Sequence, residues 1–534
     1  MHFLTIIHRI LLKKHLIALF IPILPFVLSS YDVTAQAVSQ IRVGERLPMH
    51  GSFIYPNLFR YADSYCLLSF DDPDFHLWRE GIPGFTIEVF DTTLNHNESV
   101  PVRVSLNNYH KLEPLYLDNT DHSFCIFATE TSVATGTSRS IAFRLDLRGE
   151  MRGQPVILGE LTGLARSATL LYSAKEDAYF RVARFHEDSS AVFLYTQLYP
   201  ALDQPTAKLM VKVLDTSLAV KRSKLLNLAV APEYSELSDV LLARGELFFI
   251  LTVQLPLEDK VFKLVTYNFD QDELSYYDFT IEGKKIHSLE TCMLEKGNIV
   301  IRGLYADNDS KKEADGLLYF LFDTDNQTLL SSGSARIPAG RQGSSVTGLE
   351  HLRIRETFIR QNGDVVILSE LYWTEVIDFT DSDGKLYLRP WYHSDDLLAV
   401  YFDKTGTWKW HTWIAREFGS GSEEMLGFHS LMTDSVAYII YNDHPDNLMS
   451  YDPEKIKRVK GKWIPVAGTL DLESGAYRKY SISSGSEIKR DLSFRNGYLF
   501  NLPPCETIWV LTDGYLNLVR TTFRNAERSS TKKN

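Results

Sequence analysis

The chain carries only four cysteines in 534 residues, too few and too irregularly spaced for a disulfide framework. No apolar run beyond residue 28 is long enough to cross a bilayer as a helix. No Gly-rich phosphate loop, zinc-ligand spacing or serine nucleophile elbow occurs, so no cofactor, metal or catalytic residue is expected. Basic residues are also short, 56 against 68 acids, for a formal net charge of −12. Nucleic-acid binding needs clustered Lys and Arg to neutralise phosphates, so no nucleic-acid partner is expected. The only basic stretch, Lys455 to Lys462, alternates with polar residues and reads as a solvated loop.

What is present is a repeat. A short turn leads into an apolar strand eight times: at Asp63, His122, Asp177, Gly245, Gly297, Gly363, Asp434 and Gly497. In each of the first seven units a second apolar strand follows and ends in Asp, at Asp91, Asp146, Asp215, Asp270, Asp323, Asp403 and Asp471. Asp suits such an ending because its side chain bonds the backbone of the turn that follows. A further strand comes after that turn, so one unit holds about four strands. All-β repeats of roughly 50 to 70 residues are the mark of a β-propeller. The expectation is one propeller of about eight four-stranded blades, with seven blades as the runner-up and a pair of β-sandwiches as the rival fold.

The eighth unit lacks a last strand before the polar tail, Ser529 to Asn534. Residues Ile41 to Leu47 can supply it by pairing near Tyr515 to Phe523. Both chain ends would then close one blade, leaving no open sheet edge. The propeller domain is accordingly expected over 38–528, with 529–534 as the tail.

Residues 1–37 read as a signal peptide. Arg9, Lys13 and Lys14 precede an apolar run from Leu16 to Leu28, and Ala35-Gln36-Ala37 is a small-x-small cleavage pattern. The alternative is an uncleaved anchor. Cleavage removes three basic residues and one acid, Asp32, so the net charge moves from −12 to −14. A periplasmic or secreted protein with no integral membrane segment after processing is expected, working as a monomer.

Cys66 and Cys125 occupy equivalent positions in adjacent units and read as packing residues. The Ala35-Gln36-Ala37 ending, the run Gly363 to Tyr372 and the Phe-Asp strand ends together make the chain resemble uncharacterised exported β-propeller proteins of Bacteroidota. That resemblance implies a fold and a compartment, and carries over no catalytic residue.

Local motifs are weaker. Asp381-Ser382-Asp383-Gly384 has the core of a calcium loop, but Phe379 stands where another acid belongs and the closing Glu is missing. Phe402 to Trp408 is similar to the Asp-box turn of sialidase-type propellers. Tyr401 stands where that turn has Ser, its Asp-to-Gly spacing is one too long, and the turn is structural in any case.

Five of the eight tryptophans fall between Trp373 and Trp413. Trp373, Trp391, Tyr392 and His393 flank or sit in a long insertion of the sixth unit, between Leu371 and Leu397. They are the candidate ligand-binding residues, with Asp381, Asp383, Asp395 and Asp396 as orienting acids, since exposed rings beside fixed carboxylates suit a sugar or a basic peptide. The bland alternative is that the rings are packing. The functional expectation is a non-enzymatic binding or scaffold protein with a protein or glycan partner. The alternative is a polysaccharide hydrolase or lyase with paired carboxylates around the ring axis.

Overall fold

The computed structural model describes the chain between residues 38 and 523, omitting chiefly 49–57, 71–84, 103–111, 163–180, 185–191, 199–205, 339–348 and 483–492. The signal segment, the marks at His122, Asp177 and Gly297, and the polar tail lie outside the described residues. Among those residues there is no α-helix, and the strands form eight antiparallel sheets of four or five strands. The protein is an all-β propeller.

The sixth sheet shows how the sequence builds a blade. Its strands run in the order Leu352–Ile359, Val365–Thr380, Leu386–Phe402 and Trp408–Ser420. Val365 and Ile367 pack toward the fifth sheet, with Val300, Tyr319 and Phe402. Val366 and Leu368 point the other way and pack with Ile439 and Val466 of the seventh. Side chains alternate across a strand. A strand buried on both faces therefore reads as a continuous apolar run, here Val365-Val366-Ile367-Leu368, rather than as an alternating one.

Equivalent clusters join the third sheet to the fourth, the fourth to the fifth, and the seventh to the eighth. Another cluster joins the eighth sheet to the first, through Ile508, Val510 and Leu518 against Leu67, Phe90 and Leu94. First strands of successive sheets touch one another, as Leu58–Tyr61 does Leu112–Thr120 on one side and Ser493–Leu502 on the other. The first strand of each sheet is thus the inner one. Val38–Val43 pairs antiparallel with Tyr515–Phe523, in the register Ile41↔Thr521, and Leu47 pairs with Leu516. The sheet holding Val38–Val43 and Tyr515–Phe523 packs against the first sheet and the seventh.

The Asp-terminated strands end in one of two turns. Asp91, Asp146, Asp215 and Asp403 each accept the amide four residues on, and the residue three on has positive φ: Leu94, Gly149, Leu218 and Gly406. Each is a type I turn closed by a left-handed residue, which gives a bulged hairpin. In the other class the left-handed residue comes four on, as at Gln327 after Asp323 and Gly475 after Asp471. Leu94 and Leu218 hold positive φ because their side chains are buried.

Two sequence marks need correction. In the fourth unit the strand ends at Asn268, which accepts the amides of Asp270 and Gln271, while Asp270 is a solvated turn residue. Asn and Asp offer the same acceptor oxygen, so either can cap the turn. In the eighth unit Gly497 does not precede the second strand. It lies within the first, Ser493–Leu502, at a register break between Phe494 and Leu499.

Candidate functional site

Strand direction places several connections of the sixth and seventh sheets on one face. The hairpin between the second and third strands of the sixth sheet lies there, as does the link from Ser420 to Phe428, which contains the short 3-10 turn Glu423–Met425. The loop after Asp443 joins them, with Val459 N–H donating to Glu417 O at 3.0 Å.

The segment between Leu371 and Leu397 is not a loop insertion. Val365–Thr380 and Leu386–Phe402 run on past the blade as paired strands, in register from Tyr372↔Ser394 to Thr380↔Leu386. They make a two-stranded arm. Period-two patterning continues along it, but mixed polar and apolar residues hide that periodicity from a reading by composition. Asp381 and Asp383 lie outside the described residues.

Register sorts the arm's side chains onto two faces. Trp373, Glu375, Ile377, Phe379, Tyr387, Arg389, Trp391 and His393 share one, and Val376, Asp378, Leu386, Leu388 and Tyr392 share the other. On the first face the Trp373 and His393 rings stack at 4.5 Å. His393 Nε2 lies 2.8 Å from a Glu375 oxygen, and Arg389 sits over the Phe379 ring at 4.1 Å. Trp391 approaches Gly419, where a Cβ would stand 2.7 Å from the indole nitrogen. Tyr392 packs at the root of the second face with Tyr372, Phe418, Leu426 and Val459.

The structure therefore gathers the four candidate residues at the arm's root, but splits them between two faces. His393 is buried and its ring is taken up by Trp373. Asp395 and Asp396, expected to orient a ligand, are each 1% exposed and point into the protein. A bulge between Asp395 and Leu397 puts this pair inside the blade, opposite Glu417 and Arg416.

Beneath the arm lies a buried polar cluster that sequence reading missed. Glu370 is fully buried and takes Arg355 on one oxygen; the other accepts Ser394 Oγ and lies 3.4 Å from Arg416 Nη2. Arg416 also donates to Gly427 O at 2.8 Å, and its guanidinium lies over the Tyr441 ring. Neither Asp395 oxygen has a well-formed hydrogen bond, the Phe418 amide offering only a weak one. Burial, then Glu417 and Asp396, push Asp395 up to about 7, against the pull of Arg416. These residues come from four different strands, Arg355, Glu370, Asp395 and Arg416 each from its own, so the sequence offers no motif for them.

Toward the axis, the first strands carry a second acid, half-buried. Glu356 accepts the Ser430 hydroxyl and, at 3.3 Å, the Ser430 amide, bridging the sixth and seventh sheets. Burial pushes Glu356 up to about 7, although these bonds and the charges of Arg302 and Arg355 favour its ionised form. No group of three or more His, Cys, Asp or Glu among the described residues could hold a metal ion.

No family model and no curated protein matches the chain. Among solved structures it is similar to the polysaccharide lyase Uly1, at 12% identity and TM-score 0.38 over 77% of this chain and 90% of that one. It is also similar to a DUF4221 member from Bacteroides vulgatus, at 8% identity and TM-score 0.31 over 83% and 98%. A third is the β-propeller domain of the Trilobed protease from Pyrococcus furiosus, at 11% identity and TM-score 0.30 over 67% and 98%.

Proposed function

We propose that this protein is an exported, non-enzymatic binding propeller. In this reading residues 1–37 are removed after Ala37, eight blades close into one ring, and the monomer works in the periplasm or outside the cell. The arm of the sixth blade presents the binding surface. The observation that carries the reading is the arm itself. A rigid blade extends two strands into solvent and exposes Val376, Leu386 and Leu388 at 67%, 62% and 70%. Clustered exposed aliphatic residues are a feature of interaction surfaces, and elements held by a rigid scaffold are where binding concentrates.

A polysaccharide hydrolase or lyase is the second reading. It is favoured by Glu356, an acid on an inner strand held up to about 7, which is where a general acid needs to sit. Its Ser430 bonds across two blades supply a structural reason for the same residue, so the scaffold reading is preferred. The test is incubation of purified protein with a panel of polysaccharides. No release of reducing or unsaturated ends is expected; cleavage at an enzymatic rate that Glu356→Gln abolishes would establish the enzyme instead.

A further inference from the structure

The arm has two strand edges. Leu352–Ile359 pairs with Val365–Thr380 only as far as Leu371, and Trp408–Ser420 pairs with Leu386–Phe402 only from Tyr392. Beyond those points, among the described residues, the two strands of the arm pair with each other alone. A free edge is a template for another strand, and natural sheets blunt such edges with proline and charge.

The outer edge is blunted in this way. Arg389 and Pro390 stand on it, and proline offers no N–H to a further strand. The other edge lies on the side of the inner strand, toward the axis. Its residues Thr374 to Thr380 include Val376, Ile377 and Phe379, with no proline and no base. Thr, Val, Ile and Phe are strand formers. The last bond of the blade sets the direction of its amides: Tyr372 N–H donates to His351 O at 2.8 Å, toward the inner strand. Amide direction alternates along a strand, so Thr374, Val376, Asp378 and Thr380 turn their N–H and C=O to that same side. All of them are exposed. Val376 stands opposite Pro390 in the register, a pairing that suits proline because the two nitrogens point away from each other. Both charges of the edge, Glu375 and Asp378, are negative.

We infer that the axis-side edge of the arm, from Thr374 to Thr380, takes up an extended segment of a partner protein as a further strand, and that this segment carries basic residues. The inference rests on the binding-propeller reading and names its partner class. Main-chain hydrogen bonds supply the affinity and alternate side chains the specificity, and opposite charges across a strand pair are favourable where like charges are not. A second copy of the chain fits less well, because pairing this strand with itself gathers carboxylates and no base. A lipid surface fits less well, because hydrocarbon leaves the N–H and C=O groups of the edge unsatisfied.

The experiment uses the full mature chain and three short fluorescent peptides. The first is rich in valine and threonine, with a lysine on each face; the second has glutamate for each lysine; the third is the lysine peptide N-methylated at every amide. Binding is followed by anisotropy, and hydrogen exchange by mass spectrometry locates it. The lysine peptide should bind and slow exchange within 374–380. The other two should bind about ten-fold more weakly, since lost main-chain bonds and like charges both cost affinity. Val376→Pro, which removes one outward amide, should weaken the lysine peptide by a similar factor. Asp378→Lys should move preference toward the glutamate peptide. Both variants should keep the parent's melting temperature, because both side chains are exposed and the Val376 amide takes no part in the arm's own pairing. No binding of the lysine peptide, equal binding of its N-methylated form, binding without slowed exchange in 374–380, or unchanged binding by either variant overturns the inference. So does co-sedimentation with phosphatidylglycerol vesicles, or a concentration-dependent dimer, that Val376→Pro abolishes. None of these failures touches the polysaccharide result, which tests the underlying reading separately.

Discussion

The indole of Trp373 lies face to face with the imidazole of His393, 4.5 Å between centroids and 4° from parallel. The two are cross-strand partners at the root of the arm, and His393 Nε2 is also 2.8 Å from Glu375. A pair so engaged holds the arm to the blade. Trp373→Ala should destabilise the protein by about 2 kcal/mol and raise amide exchange along 374–393. Hydrogen exchange by mass spectrometry checks this, and unchanged protection in the arm would refute the anchoring role.

Asp395 gives a pH dependence whose sign is set by burial. Its folded value is raised to about 7 from an ordinary value of 3.8. Between those two pH values the folded state binds more protons than the unfolded one, so this residue's contribution to stability falls as pH rises from about 4 to about 7 and is flat above. Asp395→Asn should remove that slope. The variant should gain on the order of 3 kcal/mol over the parent on going from pH 4 to pH 8. Urea midpoints at both pH values measure it; a difference that does not grow with pH would sink the assignment.

Glu370 compensates two arginines in the interior. Glu370→Ala would leave Arg416 buried without its carboxylate, at a cost of about 3–5 kcal/mol. Glu370→Leu with Arg416→Met should recover much of that loss, because an apolar pair avoids the desolvation penalty altogether. Denaturant midpoints of the three proteins test the ordering.

Gly406 has φ of +84°, and a Cβ there would stand 1.8 Å from the carbonyl oxygen of Ser332 in the neighbouring sheet. Gly245 has a similar φ of +78°, with open space around it. Gly245→Ala should cost about 1 kcal/mol, the left-handed backbone alone. Gly406→Ala should cost at least twice that, because two blades must separate. Equal thermal shifts would show that the inter-blade contact is looser than described.

Burial pushes the Cys66 thiol up to about 12. Only the thiolate attacks alkylating agents, so iodoacetamide at pH 8 should leave Cys66 unmodified in the native protein and label it in urea. Peptide mapping reads the outcome, and native labelling at a rate close to that in urea would contradict the packing role.

What the sequence determined by itself is the local grammar. Asp91, Asp403 and their equivalents mark turns because a short acceptor side chain satisfies the amides ahead of it. Val365 to Leu368 announces a strand buried on both faces. These are nearest-neighbour effects, so they survive in one dimension, and from them follow the propeller and the pairing of its two chain ends. Tertiary structure decided the rest. Trp391 and Tyr392 are adjacent in sequence yet face opposite sides of the arm. Asp395 and Asp396, which look like surface acids, are turned inward by a single bulge. Glu356 and Ser430 lie 74 residues apart in the chain and meet only because the sixth and seventh blades stand side by side. Which face a side chain takes depends on register, and what it meets there depends on the next blade, and neither is a property of local sequence.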